Sequence, residues 1–264
     1  MRIQHNIMAM NANRNLTFNN TQLSKNLEKL SSGYRINRAG DDAAGLAISE
    51  KMRAAVSIYD QSINNANDGI SMVQTAEGAL TEVHDMLNRM VTLATQASNG
   101  TYSSTDIANI NKEISALNTE ISRIASSTKF NGITLFNTTK AATIQVDKAN
   151  AITVNLNTFS MTAIKCSTLT ATNAAGQITA LEGHINTISG YRADLGATQN
   201  RLEHTVNNLG VTMENLQSAE STIRDTNIAD EMMAYTKNNI LIQSAQAMLA
   251  QANQVPQGVL QLMQ

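Results

Sequence analysis

The sequence has few of the residues that build a compact globular core. Its 264 residues include one proline, one cysteine, no tryptophan, four phenylalanines and five tyrosines. Aromatic rings usually supply much of the buried area of such a core, so narrow helix–helix contacts suit this composition better. Scarce proline favours long, uninterrupted helices. The lone Cys166 excludes an intrachain disulfide, and we interpret it as an incidental buried or half-buried thiol.

Strong charge and long apolar runs are also missing. The formal net charge of -2 provides neither the basic field that nucleic acids require nor a strongly acidic one. No apolar run reaches the length of a membrane span, so membrane insertion is not predicted. The first twenty residues lack the apolar core of a secretory signal. A cleaved signal is therefore not expected, and export would need another route.

Motifs for catalysis, metals and nucleotides are absent from the sequence. Gly40 and Gly45 have the spacing of a phosphate loop, but Leu46 and Ala47 occupy the positions that need lysine and serine or threonine. The pair Asp41–Asp42 is not followed by clustered histidine, cysteine or further acids. None of the four histidines stands in an HExxH motif. We predict no enzyme activity and no cofactor.

Both ends of the chain are poor in charge and strongly patterned. Residues 238–264 contain no aspartate, glutamate, lysine or arginine, and their apolar residues recur four and three apart. An apolar stripe on an uncharged helix is unusual in water, so we predict that the terminal helices pair and need further partners. The residues predicted to form this surface are Ile3, Ile7, Met10, Leu16, Leu23, Leu27, Leu30, Leu241, Ala245, Met248, Ala252, Val255, Val259 and Leu262.

The middle of the chain is predicted to form long helices that flank a small strand-rich module. Residues 52–94, 107–124 and 181–223 each keep heptad spacing, with a break at Asn99–Gly100. Asn131–Gly132 is a strong hairpin signal, and alternation in residues 134–172 indicates short strands. The predicted fold is mainly α, an elongated antiparallel helical bundle or coiled coil with a small β-hairpin module and a pair of terminal helices.

Five blocks of sequence resemble bacterial flagellin. They are MRIQHNIMAMNANRNL, LSSGYRINRAGDDAAGLAISEKMR, ANDGISMVQTAEGAL, KFNGITLF and TKNNILIQSAQAMLAQANQVPQGVLQLM. The resemblance covers Met1 to about Asn137 and about Gly176 to Gln264, in the order of the family. The middle departs from it, because many flagellins carry large outer domains there. The chain is similar to a minimal flagellin with a very short variable region.

The resemblance implies a domain plan. Residues 1–42 would form the N-terminal part of the inner filament core with a linker, and 223–264 its C-terminal helix, as a coaxial pair. Residues 43–136 and 176–222 would form the next domain outward. Residues 137–175 would be the short variable module.

The resemblance also implies a structural function. Such a chain would assemble with copies of itself into the helical flagellar filament for swimming, outside the cell. Its implied partners are the type III export apparatus, an export chaperone on the C-terminal helix, the filament cap and hook-associated junction proteins, with no nucleic acid. A hook–filament junction protein is the alternative, since it shares the terminal helices. The NRAGDDAAGLAI block and the LAQANQVPQGVLQLM ending are closer to flagellin.

Toll-like receptor 5 is a further partner that the resemblance implies. The positions that match its recognition site are Arg89, Leu93, Gln96 and Glu113. Val91, Thr92 and Leu117 depart from receptor-activating members, which carry charged residues there. The alternative interpretation is that Arg89 and Glu113 are solvated helix residues that serve subunit contacts.

Overall fold

The computed structural model describes residues 6–136, 141–148, 150–155, 164–170 and 172–262, with side chains up to residue 254. Within these ranges the chain forms five helices and four short strands. In chain order they are α1 (Ile7–Ser32), α2 (Ala43–Ala97), α3 (Ser104–Ser127), β1 (Lys129–Phe130), β2 (Ile133–Thr134), β3 (Ala142–Gln145), β4 (Ala151–Val154), α4 (Ala174–Arg224) and α5 (Ile228–Leu262). The mainly helical fold predicted from the sequence is confirmed.

Local capping fixes several helix ends. The Asn6 side chain accepts a hydrogen bond from the third residue of α1, and Gly33 ends that helix with a φ of +76°. Only glycine adopts this left-handed conformation without steric cost, so Gly33 is well suited to end the helix. At the start of α3, Ser103 and Asp106 form a reciprocal capping box. Asp42 accepts a hydrogen bond from the backbone N–H of Gly45 in the first turn of α2.

The chain divides into two compact units. One contains the chain up to Val56 together with the chain from Glu214 onward, and the other contains Ser57–Met213. Helices α2 and α4 contribute residues to both. The first unit contains α1 and α5, and the second contains α3 and the four strands.

The larger unit has one apolar core to which α2, α3 and α4 all contribute. The predicted heptad positions of α2 are buried there at Ala66, Val73, Leu80, Leu87 and Ala94. So are a second row at Ala76, Val83, Met90 and Ala97, and residues of the other two helices such as Ile114, Ile121, Leu181, Ile188 and Leu195. The sequence analysis missed the second row of α2, because a helix with neighbours on two sides buries more than one stripe.

The two short hairpins lie in the same unit. Asn131 and Gly132 have φ angles of +47° and +79°, which the tight turn between β1 and β2 requires. The predicted hairpin is confirmed. Strands β3 and β4 pair antiparallel, and Ile144 and Ile152 face one another in register and are buried. The Asn65 side chain on α2 donates a 3.0 Å hydrogen bond to the Gln145 carbonyl at the end of β3.

Two asparagines of α3 hold the extended segment 164–170 against the helices. The Asn111 amide donates to the Leu169 carbonyl at 2.9 Å and accepts from the Leu169 N–H at 2.8 Å. Asn118 makes the same pair with Cys166, at 2.9 and 3.1 Å. The two asparagines are seven residues apart on the helix, which is a rise of about 10.5 Å. Their partners are three residues apart in the extended segment, which spans about 10 Å, so the two spacings match. Each asparagine therefore pairs with the segment as a neighbouring strand would.

Candidate assembly surface

Helices α1 and α5 pack closely against each other in antiparallel orientation along a narrow contact that we call the seam. Its side chains are buried or half-buried and recur three and four residues apart. On α1 they are Ala9, Ala12, Leu16, Asn19, Leu23, Asn26 and Leu30, and on α5 they are Tyr235, Asn238, Ile242, Ala245, Leu249 and Ala252. Alanines at four of these positions let the two helices approach closely, because a methyl group occupies little space.

Polar contacts tie the α1–α5 pair together at both ends. At one end, the Asn6 side chain donates a 2.8 Å hydrogen bond to the Ala252 carbonyl. At the other, the Lys29 ammonium lies 3.9 Å from the Glu231 carboxylate. This ion pair is partly shielded, since the two side chains are 31% and 14% exposed. Contacts between the start of one helix and the end of the other establish the antiparallel arrangement.

Asn26 is the buried polar residue of the seam, with 7% of its surface exposed. With its amide oriented so that both atoms find partners, its nitrogen donates to the Gln22 carbonyl and to Glu231 Oε1, each at 3.0 Å. Its oxygen accepts from Asn238 Nδ2 at 3.1 Å and from the Tyr235 N–H at 3.2 Å. We call Asn26, Glu231, Asn238 and Tyr235 the Asn26 cluster. Three of its four hydrogen bonds cross from α1 to α5.

The outer faces of α1 and α5 expose many large apolar side chains to solvent. Most of the exposed large apolar side chains in the described part of the chain belong to these two helices. They are Ile7, Met8, Met10, Phe18, Leu27, Ile228, Met232, Met233, Ile240, Leu241 and Met248. Such a concentration on one helix pair is typical of a surface that other protein chains cover.

The structure distributes the predicted polymerisation residues over two faces of the helix pair. Leu16, Leu23, Leu30, Ala245 and Ala252 lie in the seam. The outward-facing members are Ile7, Met10, Leu27, Leu241 and Met248. Ile3 lies outside the described residues, as do the side chains of Val255, Val259 and Leu262. The sequence analysis missed Ile242 and Leu249, which form the seam in place of Leu241 and Met248.

The two linkers that flank the α1–α5 pair are bound to each other. The Arg35 N–H donates to the Arg224 carbonyl at 2.6 Å, and the Thr226 N–H donates to the Gly33 carbonyl at 3.0 Å. The Arg224 guanidinium donates to Glu50 at 2.7 Å and lies over the Tyr34 ring, 4.7 Å from its centre. Hydrogen bonding from Arg224, the largest cause, lowers the pKa of the Glu50 carboxyl. We call this arrangement the linker bridge.

The residues matched to receptor recognition do not all lie on the surface. Arg89 and Glu113 form a 2.8 Å ion pair between α2 and α3, with side chains 54% and 44% exposed. The hydrogen bond that Arg89 donates to Glu113 raises the pKa of the Arg89 guanidinium. Gln96 is exposed. Leu93 is only 2% exposed and belongs to the core, so its side chain is not available for contact in this structure.

The described part of the chain lacks two other classes of site. It contains no group of three or more histidine, cysteine or acidic side chains that could hold a metal ion. Among the same residues, no helix is both long enough and apolar enough to cross a membrane.

Two family models match the chain. Residues 3–141 match the bacterial flagellin N-terminal helical region, and residues 178–263 match the bacterial flagellin C-terminal helical region. The chain belongs to the bacterial flagellin family. Membership makes it a structural subunit of the flagellar filament and not an enzyme. The resemblance found in the sequence is therefore confirmed.

Two relatives aligned over their full length support the same assignment. Flagellin of Halalkalibacterium halodurans is 51% identical over 271 residues, and flagellin of Bacillus subtilis is 48% identical over 304 residues. Both alignments cover all of each chain. The crystal structure of Bacillus cereus flagellin is 32% identical, with a TM-score of 0.48 over 55% of this chain and 88% of that one. The family models and the full-length relatives favour a filament subunit over a junction protein.

Proposed function

We propose that the outer faces of α1 and α5 are the surface through which this flagellin polymerises. The observation that carries the proposal is the concentration of exposed apolar side chains on this one helix pair. Covering them with a neighbouring copy removes apolar area from water, which is the main favourable term in protein association. The seam residues act indirectly, because they hold the two helices together so that both outer faces form one surface.

Two equally exposed side chains provide a direct test. Met248 on α5 is 63% exposed, and Ile133 in the β1–β2 hairpin of the other unit is 62% exposed. Met248→Glu would place a charge in the proposed contact, and we expect elongation from filament fragments to slow at least about tenfold, as an unpaired buried charge costs several kcal/mol. Ile133→Glu is the matched control. Normal elongation of the Met248→Glu subunit would contradict the proposal.

Truncation tests the contribution of the whole C-terminal helix. A chain that ends at Ile240 loses most of α5, including the seam residues Ile242 and Leu249. We expect this variant to remain monomeric when filament fragments are added, as measured by sedimentation and electron microscopy. Its larger unit should stay folded, because Ser57–Met213 has its own core, and circular dichroism checks this. Polymerisation as rapid as that of the intact chain would rule out α5 as part of the core.

We infer that α5 is also the segment that an export chaperone covers before assembly. Its exposed apolar residues Met233, Ile240 and Met248 would otherwise promote premature association. The subunit would pass unfolded through the flagellar type III apparatus and fold beneath the filament cap at the tip. Hook-associated junction proteins would join the filament at its base. Co-purification of the chaperone with the intact chain, but not with the chain that ends at Ile240, tests the chaperone step.

We further propose that Toll-like receptor 5 contacts the exposed part of the matched site, formed by Arg89, Gln96 and Glu113. Leu93 acts only through packing, because its side chain is buried. In a receptor reporter assay, Arg89→Ala should lower activity. Arg123→Ala is the matched control, since Arg123 is also an exposed arginine paired with a glutamate on α3. Equal activity of wild type and Arg89→Ala would remove Arg89 from the site and favour a role in subunit contacts.

A further inference from the structure

The seam between α1 and α5 nearly repeats itself every seven residues. On α5, Ile242 is followed by Leu249 and Ala245 by Ala252, while α1 places leucine at 16, 23 and 30. Sliding one helix by a heptad would therefore place similar side chains opposite each other. The apolar residues hold the helices together, but they do not distinguish the observed register from one displaced by seven residues.

The hydrogen bonds of Asn26 do not follow this repeat. Asn26 is buried, and three of its hydrogen bonds reach groups of α5 that lie opposite it only in the observed register, on Glu231, Tyr235 and Asn238. The seam position one heptad earlier is also an asparagine, Asn19. Among the described residues, Asn19 makes no hydrogen bond to α5. The two asparagines look equivalent in the sequence, but only Asn26 forms hydrogen bonds across the seam.

We propose that the Asn26 cluster fixes the register in which α1 and α5 pair during filament assembly. The proposal rests on the polymerisation surface proposed above. If α1 were displaced by seven residues toward the C-terminal end of α5, Asn26 would take the half-buried position of Asn19 and lose its three hydrogen bonds to α5. Shielded polar groups that lose their partners destabilise that register.

Register matters because the polymerisation surface is shared between two helices. Phe18 on α1 and Met248 on α5 both face outward, and their separation along the pair depends on how the helices are aligned. A shift of seven residues moves one set of side chains by about 10 Å relative to the other. A neighbouring subunit that fits the observed surface would not fit the displaced one.

The linker bridge alone does not provide the same discrimination. Tyr34 and Arg35 are exposed, so water can replace the backbone hydrogen bonds of the bridge when it opens. The interior position of Asn26 offers no such replacement. The linker bridge and the Asn26 cluster lie at the same end of the α1–α5 pair. Asn26 is the buried one of the two, so the loss of its hydrogen bonds destabilises the pair more.

The test compares two leucine substitutions in the same seam. Asn26→Leu removes the cluster and keeps an apolar seam, and Asn19→Leu makes the same chemical change one heptad away. Spin labels are attached at Ser24→Cys on α1 and Gln251→Cys on α5, both exposed positions that lie well apart along the helix axes, in a Cys166→Ser background. Labelled subunits are diluted into unlabelled wild type and grown from filament fragments. Pulsed electron–electron double resonance then measures the distance between the two labels.

Wild type and Asn19→Leu should each give one distance. Asn26→Leu should give a second maximum displaced by a large part of the slide of about 10 Å, or should fail to join filaments that Asn19→Leu joins normally. Normal incorporation of Asn26→Leu with the single wild-type distance overturns the proposal. Normal incorporation of Met248→Glu subunits would instead contradict the polymerisation surface itself.

A second substitution covers the case in which leucine is not tolerated at either position. Glu231→Ala removes a hydrogen-bond acceptor of Asn26 and the partner of Lys29 without adding bulk to the seam. It should produce the displaced distance in a smaller fraction of the subunits. A single wild-type distance in Glu231→Ala, together with failure of both leucine variants, overturns the proposal.

Discussion

Asparagine side chains carry much of the polar organisation of this protein. Asn26 joins α1 to α5, Asn65 holds the end of β3, and Asn111 and Asn118 pair with an extended segment. An amide both donates and accepts, so one side chain can satisfy a backbone N–H and a backbone carbonyl together. A chain with few aromatic residues thereby gains directional contacts where its apolar core is narrow.

The pairing of Asn118 with Cys166 gives a prediction at the residue scale. Asn118→Ala would leave the Cys166 N–H and carbonyl without their partner, and we expect the free energy of unfolding to fall by about 1 to 3 kcal/mol. The Cys166 thiol should also react faster with a disulfide reagent. Burial raises the pKa of this thiol in the intact protein, which reduces the thiolate that reacts.

Asn109→Ala is the control for that measurement. Asn109 is on the same helix, but it is exposed, and its side-chain oxygen accepts a 3.2 Å hydrogen bond from the Lys112 ammonium. Its stability and thiol reactivity should match those of wild type. Equal reactivity of Cys166 in the Asn118→Ala variant and in wild type would show that the asparagine does not hold the segment.

At the scale of single elements, the β1–β2 hairpin depends on one glycine. Gly132 has a φ of +79°, and a Cβ there would meet nothing within 4 Å. Only backbone strain therefore opposes Gly132→Ala, which should lower the free energy of unfolding by about 1 to 2 kcal/mol. Urea unfolding followed by circular dichroism measures the change. Gly100→Ala, also in open space but without a positive φ, should cost less; equal losses would argue against a strained turn.

The linker bridge should respond to acid. The pKa of Glu50 is lower in the folded protein, chiefly through hydrogen bonding from Arg224. Its stabilising contribution is therefore complete above the unfolded pKa of about 4.3 and is lost as the pH falls through the lower folded value. We expect the amide protons of Arg35 and Thr226 to exchange faster over that range, after correction for the intrinsic rate.

Substitution separates this effect from general acid unfolding. Glu50→Gln should make exchange at Arg35 and Thr226 faster at neutral pH and less dependent on acid. Glu82→Gln changes an exposed carboxylate in the other unit and should leave exchange at the bridge unchanged. If Glu50→Gln and wild type show the same acid dependence, another group controls the opening of the bridge.

At the scale of the whole molecule, the two units should differ in stability before assembly. The larger unit buries leucine, isoleucine and methionine from three helices, whereas the α1–α5 seam is narrow and rich in alanine. Ordering a backbone residue costs about 1 to 2 kcal/mol, which a narrow contact offsets only in part. The terminal helices therefore gain most from the additional burial that a filament provides.

Hydrogen exchange on the free subunit and on filaments tests this difference. In dilute monomer, amides of α1 and α5 should exchange much faster than those in the buried part of α2. In filaments, the same amides should become protected. The larger unit serves as an internal control in both samples. Strong protection of α5 in the dilute monomer would show that the helix pair is stable without neighbours.

The sequence alone determined the helices, the first hairpin and the family. Heptad spacing, the Asn131–Gly132 turn and the capping residues act through neighbours close in sequence, so their consequences can be predicted without knowing the fold. The apolar row at Leu80 and Leu87 was predicted for the same reason. The charge-poor ends were likewise interpreted correctly as a pair of helices.

Only the tertiary structure decided which of two neighbouring stripes on α5 meets α1. Leu241 with Met248 and Ile242 with Leu249 both fit heptad spacing, and the choice depends on how α1 lies against α5. The burial of Leu93 and the selection of Asn26 over Asn19 were decided in the same way. These properties depend on residues far apart in the chain, and periodicity along a single helix contains no information about what lies opposite it.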